Sequence, residues 1–64
     1  MAAARLQAPG YVVRQSVKGP YRCPGCQQMI PAGTAHVVVL EDGDPESRRH
    51  WHTPCWEREL RRLR

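Results

Sequence analysis

Two short motifs contain the residues best suited to chemistry: Cys-Pro-Gly-Cys at residues 23–26 and His-Thr-Pro-Cys at residues 52–55. Two cysteines separated by two residues can occupy neighbouring corners of a tetrahedron, because the intervening Pro-Gly pair favours a tight turn. A histidine and a cysteine three positions apart share one face of a helical turn. The predicted ligands of a single structural zinc ion are Cys23, Cys26, His52 and Cys55.

The identity of the histidine ligand is open among three candidates. Thr53 and the proline after it are typical of a helix start, with Thr53 as N-cap, and this places Cys55 in the first helical turn. His52 is therefore favoured as the fourth ligand. His50 is the principal alternative, whereas His36 is expected to be an ordinary residue at the start of a strand.

The chain has 64 residues, and a single hydrophobic core in so short a chain supplies only about 3–5 kcal/mol. Zinc binding is expected to provide much of the remaining folding free energy. Three cysteines cannot all pair as disulfides, and no apolar run has the length of a signal peptide or a membrane span. These features predict a cytoplasmic protein with no membrane association. A redox CxxC is disfavoured because the chain is too short for the surrounding βαβ sheet.

The apolar pattern predicts a hairpin followed by a helix. An Asp-Gly pair within residues 41–45 favours a hairpin turn, and Trp56, Leu60 and Leu63 form one apolar stripe at helical spacing. The predicted elements are a flexible arm at residues 1–10, a strand at 11–13, the cysteine turn, hairpin strands at 36–40 and 47–52, and a helix from 54 to the C-terminus.

A zinc knuckle, a β-hairpin and a C-terminal helix, in this order, make up the treble-clef arrangement. Residues 11–64 are therefore expected to form one small zinc-stabilised α+β domain. The CxxC pair with Ile30 four residues later, and the closing segment from Trp51 to Trp56, resemble the first finger of a LIM domain. The same segment is similar to the PARP-type zinc finger, which shares a glycine at the position of Gly33.

The sequence departs from both families. LIM domains carry a second finger directly after the first, and this sequence has no further cysteine; Trp56 also stands where both families usually have phenylalanine. Nine arginines against one lysine fit a GC-rich genome. The chain thus looks like a stand-alone treble clef of the kind found in small zinc proteins of high-GC bacteria.

Enzyme activity is not expected, because a site with four protein ligands leaves no coordination position for a reactive water. An HNH-type nuclease, which uses histidines on a similar hairpin and helix, is the enzyme alternative; His36 and His50 would serve there, but the sequence has no asparagine. No glycine-rich phosphate loop is present, so a nucleotide cofactor is not expected either.

Binding to nucleic acid or a ribonucleoprotein is the favoured function. The formal net charge is +4, and residues 1–34 carry four basic residues and no acidic one. If four to six phosphates were neutralised, log K would fall against log[salt] with a slope of about −3 to −5. Tyr11 and Tyr21 either stack on bases or pack under the hairpin. The predicted phosphate contacts, which would alternatively neutralise the zinc site, are Arg14, Lys18, Arg22, Arg48 and Arg49.

A protein-protein adaptor of LIM-like type is the alternative function. An exposed strand edge at residues 36–40 could accept a strand from a partner protein. Trp51 and Trp56 would anchor a partner if they were exposed, although both are expected in the core because they flank zinc ligands.

Overall fold

The computed structural model describes residues 3–63; Met1, Ala2 and Arg64 lie outside the described residues. The structure is a small α+β fold with two antiparallel sheets. No helix within the described residues is long and apolar enough to cross a membrane. The elements in chain order are a 3-10 turn at Ala4–Leu6, β1 at Tyr11–Ser16, β2 at Tyr21–Arg22, β3 at Met29–Ile30, β4 at His36–Glu41, β5 at Asp44–Trp51 and the helix α1 at Thr53–Leu63.

The central strand of the larger sheet is β4. It pairs antiparallel with β1 on one side, where Val13 lies opposite Val39, and with β5 on the other, where Val37 lies opposite Trp51. The expectation that residues 36–40 form an exposed sheet edge is therefore wrong, because both sides of β4 are hydrogen-bonded. β2 and β3 form a separate two-stranded sheet.

The predicted hairpin is formed by β4 and β5. Gly43 lies in its turn with a φ of 81°, a left-handed conformation that glycine adopts without steric cost. β5 begins at Asp44, earlier than the predicted start at residue 47, and ends at Trp51. His52 therefore lies between the end of β5 and the start of α1.

The hydrophobic core lies between the inner face of the larger sheet and α1. Period-2 alternation directs every second side chain of β1 and β4 toward the helix. Trp56 also makes edge-to-face contacts with Tyr11 and with Trp51, at ring-centroid distances of 5.9 Å and 5.5 Å. The buried residues of this core are Leu6, Val13, Val37, Val39, Trp56 and Leu60.

The N-terminal segment belongs to this core. Leu6 is only 2% exposed, and its backbone oxygen accepts a buried 2.7 Å hydrogen bond from Nε1 of Trp56. An exposed ion pair joins Arg5 to Glu57 at 2.7 Å. The expectation of a flexible arm at residues 1–10 therefore needs correction for the part of the arm that the structure describes. Leu6 belongs to the core cluster with Trp56 and Leu60, and its backbone oxygen is the acceptor that the buried indole N–H of Trp56 requires.

We predict that Leu6→Ala lowers the free energy of unfolding of the zinc-loaded protein by about 2–5 kcal/mol, because it leaves a cavity against Trp56. Chemical denaturation followed by tryptophan fluorescence measures the change. The matched control is Leu63→Ala. Because Leu63 is 49% exposed, this substitution should lower the free energy of unfolding much less. Equal, small effects of both substitutions would restore the flexible-arm interpretation.

Candidate metal centre

Three sulfurs and one imidazole nitrogen converge on one point. The ligand atoms of Cys23, Cys26, His52 and Cys55 all lie within 4.8 Å of one another. Nδ1 of His52 is 3.4 Å from Sγ of Cys26 and 3.9 Å from Sγ of Cys55. Bond lengths of about 2.3 Å for Zn–S and 2.0–2.1 Å for Zn–N place tetrahedral ligands roughly 3.5–3.8 Å apart. The donor set and its spacing fit one zinc ion, with His52 bound through Nδ1.

The first ligand pair is held by the turn between β2 and β3. The backbone N–H of Gln27 donates to the oxygen of Cys23 at 2.8 Å, and the N–H of Cys23 donates to the oxygen of Gln28 at 2.9 Å. Gln27 has a φ of 65°, so the chain reverses immediately after Cys26. This reversal directs both cysteine sulfurs to the same side of the turn.

The second ligand pair is held by the junction of β5 and α1. The oxygen of His52 accepts the 3.0 Å hydrogen bond from the N–H of Trp56 that opens the helix. His52 therefore has the backbone role of the N-cap, one residue earlier than predicted, and Thr53 is already helical. Cys55 lies in the first turn of α1, as predicted, and faces the same point as His52.

Backbone N–H groups and crowding among the sulfurs set the electrostatics of the site. Burial opposes ionisation of Cys23, but hydrogen bonds from backbone groups of His52, Cys26 and Gly25 outweigh it and lower the pKa of Cys23 to about 6. Burial and the neighbouring thiols of Cys23 and Cys26 raise the pKa of Cys55 to about 11. Three thiolates at this separation repel one another, so the site favours a shared cation.

Arg58 lies near the centre, although its sequence position among the helix residues does not by itself single it out. Its guanidinium donates to the backbone oxygen of Gly25, at 3.4 Å, in the middle of the cysteine turn. A zinc ion bound by three thiolates and a neutral imidazole would carry a formal charge of −1, and the positive guanidinium of Arg58 lies at the turn that supplies two of those thiolates. The helical spacing of Cys55 and Arg58 was the signal in the sequence, because residues three apart share a helix face.

The other two histidines form a separate pair. Nε2 of His36 lies 2.8 Å from Nδ1 of His50, and Nδ1 of His36 lies 2.7 Å from the backbone oxygen of Thr34. The carbonyl can only accept, so Nδ1 of a neutral His36 donates to it, and Nε2 then accepts from Nδ1–H of His50. Both ring nitrogens of His36 are engaged away from the cluster. His36, expected to have no special role, is a buried residue that orients His50.

The side chain of His50 projects from the sheet face opposite the core. The ring of Tyr21 stacks on it, with centroids 3.5 Å apart and an interplanar angle of 3°. Partial burial is the largest cause that lowers the pKa of His50, followed by repulsion from His36 in its protonated form and from Arg48. Tyr11, in contrast, packs edge-on against Trp56 in the core. The sequence left stacking and packing open for both tyrosines, and only Tyr21 lies on the outer face.

The five candidate phosphate-contacting residues do not lie together. Arg14, Lys18 and Arg48 line a groove of about 650 Å³ on the outer face of the larger sheet, which we call the outer groove. Arg49 lies beside Trp51 and Trp56 near the opposite face, because neighbouring residues of a strand alternate. Arg22 is exposed on β2 and does not line the outer groove. The predicted basic surface is therefore reduced to three residues.

Gly25 is required by close packing rather than by its backbone conformation. A Cβ atom there would lie 3.0 Å from Cζ3 of Trp51 and 3.1 Å from Cβ of Cys55.

We predict that Gly25→Ala weakens zinc binding, because the cysteine turn must move away from α1. Competition with a chromophoric chelator measures the affinity. Gly43→Asn is the control, since no atom lies within 4 Å of the new Cβ and asparagine is among the non-glycine residues that most often adopt a positive φ such as the 81° at this turn. Equal affinities of the two variants would contradict the prediction.

The chain is similar to mycobacterial proteins. It is 60% identical over 40 residues to the uncharacterized protein Rv1322 of Mycobacterium tuberculosis and, to the same extent, to the uncharacterized protein Mb1356 of Mycobacterium bovis. The match covers 56% of this chain and 41% of each relative, so the chain spans less than half the length of these curated relatives. No solved structure matches the chain significantly.

The family comparison covers most of the chain, including all four cluster residues. The family model described as Rv1322 family protein matches residues 4–57. This family is neither the LIM nor the PARP-type family whose motifs the sequence resembles. The match begins within the 3-10 turn and ends in α1, and on this basis the chain belongs to the Rv1322 family.

Proposed function

We propose that this chain is a structural zinc domain of treble-clef type that binds nucleic acid or a ribonucleoprotein through the outer groove, without enzymatic activity. The observation that carries the zinc assignment is the convergence of Cys23, Cys26, His52 and Cys55. The observation that supports nucleic-acid binding is the grouping of Arg14, Lys18 and Arg48 around one groove.

The order of the elements supports the treble clef. The cysteine turn lies between β2 and β3, the hairpin of β4 and β5 follows, and α1 supplies Cys55 from its first turn. Four protein ligands fill a tetrahedral zinc site, so the metal has a structural role and no position for a reactive water. None of the three cysteines is in a disulfide, so each can supply the thiolate that zinc binding requires, and this fits the reducing environment of a cytoplasm.

The charge of the outer groove supports an anionic partner. Among the described residues, the ion pairs are Arg5 with Glu57 and Arg62 with Glu59, so none involves a basic residue of the groove. Three basic side chains against two acidic ones leave the lining of the groove with a net positive charge, which favours binding of phosphates. Asp42 and Asp44 lie at the hairpin-turn end of the groove, so a phosphate backbone would follow the other end.

A protein adaptor stays the alternative function. The support for it that the sequence suggested is reduced, because β4 is paired on both sides and Trp56 is 2% exposed. Trp51 is half-buried against the core. The sheet edges open to a partner strand would be those of β1 and β5 instead.

Removal of a zinc ligand is expected to unfold the domain. Cys23→Ser or Cys55→Ser forfeits much of the roughly 10–16 kcal/mol apparent zinc affinity of such sites. His52→Ala should lose zinc in the same way, whereas His50→Ala should keep it. Zinc stoichiometry by elemental analysis, together with cooperative thermal unfolding, measures both effects. If the His52→Ala protein were folded and zinc-loaded while the His50→Ala protein contained no zinc, the fourth ligand would be His50 instead of His52.

The nucleic-acid proposal predicts different effects for two neighbouring arginines. Fluorescence anisotropy with labelled DNA or RNA should show a salt slope of about −2 to −3, because three basic residues neutralise about three phosphates. Arg48→Ala should weaken binding and reduce this slope by about 1, whereas Arg49→Ala, facing the other side of the sheet, should change little. Absence of binding at low salt would reject the proposal and direct the search to protein partners.

A further inference from the structure

We propose that the outer groove takes single-stranded nucleic acid, with one base stacked on Tyr21. The inference rests on the proposed function and goes beyond it by naming the class of nucleic acid and the residue that contacts a base. It depends on three features of the groove: its apolar floor, the stacked pair of Tyr21 and His50, and the arrangement of its basic side chains.

The floor of the groove is apolar and half-buried. Val12, Val38 and Leu40 line it, and the strand register places Val12 opposite Leu40 and Arg14 opposite Val38. On the other side of β4, His50 lies opposite Val38. The floor is thus a strip of aliphatic side chains with polar groups along its borders. Phosphates gain nothing from such a strip, whereas the flat faces of bases do.

The aromatic pair at one border of the groove is held by specific contacts, and its outer member, Tyr21, is accessible. Tyr21 lies parallel to His50 at 3.5 Å, and His50 is held by its 2.8 Å hydrogen bond to His36. Tyr21 nevertheless keeps 40% of its surface exposed. An aromatic side chain that is fixed in orientation but open to solvent can stack on a base with little loss of conformational entropy.

A duplex does not use these features. Its bases are stacked on one another, and proteins reach only their edges in the grooves, usually with a helix or a β-ribbon. A single strand presents both base faces and phosphates to a surface that combines basic and aromatic side chains. Arg14, Lys18 and Arg48 contact the phosphates in this arrangement, and Tyr21 contacts a base. Asp42 and Asp44 confine the backbone to the end of the groove near Tyr21.

The experiment compares three probes by fluorescence anisotropy with zinc-loaded protein. They are a thymidine oligonucleotide of about eight nucleotides, which is within the site size of single-strand binding folds, the same oligonucleotide with abasic residues, and a hairpin duplex. The variants are Tyr21→Ala and Tyr21→Phe. Met29→Ala is the matched control, because Met29 is 50% exposed on the sheet that also carries Tyr21 but does not line the groove.

The wild-type protein should bind the thymidine oligonucleotide more tightly than the abasic one or the duplex. Tyr21→Ala should weaken binding to the thymidine oligonucleotide by about 5- to 150-fold, as expected for the loss of one stacked base. The salt slope should stay unchanged, because no phosphate contact is removed. Tyr21→Phe should retain the affinity, as should Met29→Ala, and the abasic probe should be insensitive to all three variants.

Two results separate failure of this inference from failure of the proposed function. Equal binding of duplex, abasic and thymidine probes, with Arg48→Ala weakening all three, would overturn the single-strand inference and leave nucleic-acid binding intact. Binding of no probe would overturn both. If Tyr21→Ala lost zinc or failed to fold, the wild-type comparison of thymidine and abasic probes would still decide the matter.

Discussion

Convergence of four metal-binding side chains on one point is the constraint on which the structure depends. The ligands come from the cysteine turn and from the junction of β5 and α1, which are distant in sequence, and their donor atoms lie within 4.8 Å. Among residues 3–63, the buried hydrophobic cluster contains six residues, too few to hold the chain by themselves. A metal ion bound by the four ligands would therefore close the long loop that contains the hairpin and hold α1 against the sheet. Gly25 permits that approach, because Trp51 and Cys55 occupy the space of a Cβ atom.

The position of His52 also determines which side chains reach each face of β5. Side chains alternate along a regular strand, so a fixed ligand at its end fixes the direction of the residues just before it, up to the register shift in the pairing of β4 with β5 between Val39 and Glu41. Arg48 and His50 point to the outer face, whereas Trp51 packs against the core. A one-residue slip would bring Arg49 into the outer groove in place of Arg48 and bury a polar side chain against Trp56. The place of His52 in the cluster and the packing of the core thus select the same register.

The local parts of the structure were predictable from sequence, and the contacts between them were not. Ligand spacing gave the zinc cluster, and the Asp-Gly turn and the apolar stripe of α1 gave the hairpin and the helix. Burial of Leu6 could not be inferred, because its partner, the indole N–H of Trp56, lies at the other end of the chain. The separation of Arg48 from Arg22 and the pairing of β1 with β4 could not be inferred from the sequence either. These depend on which strand occupies the second side of β4, and strand order has no local signal.

The zinc cluster and the outer groove are linked by spacing along the chain. Tyr21 lies two residues before Cys23, and His50 lies two residues before His52, so each ring of the stacked pair is attached to a ligand. Both segments are extended, so each ring is held about 7 Å from its ligand along the strand. An ion that draws the two ligands together therefore also brings the two rings into contact. Without it, the position of Tyr21 beside His50 would depend on the two-residue pairing of β2 with β3 and on the ring contacts of Tyr21 with His50 and His36. A structural metal in this domain thus has a direct consequence for the surface proposed to bind nucleic acid.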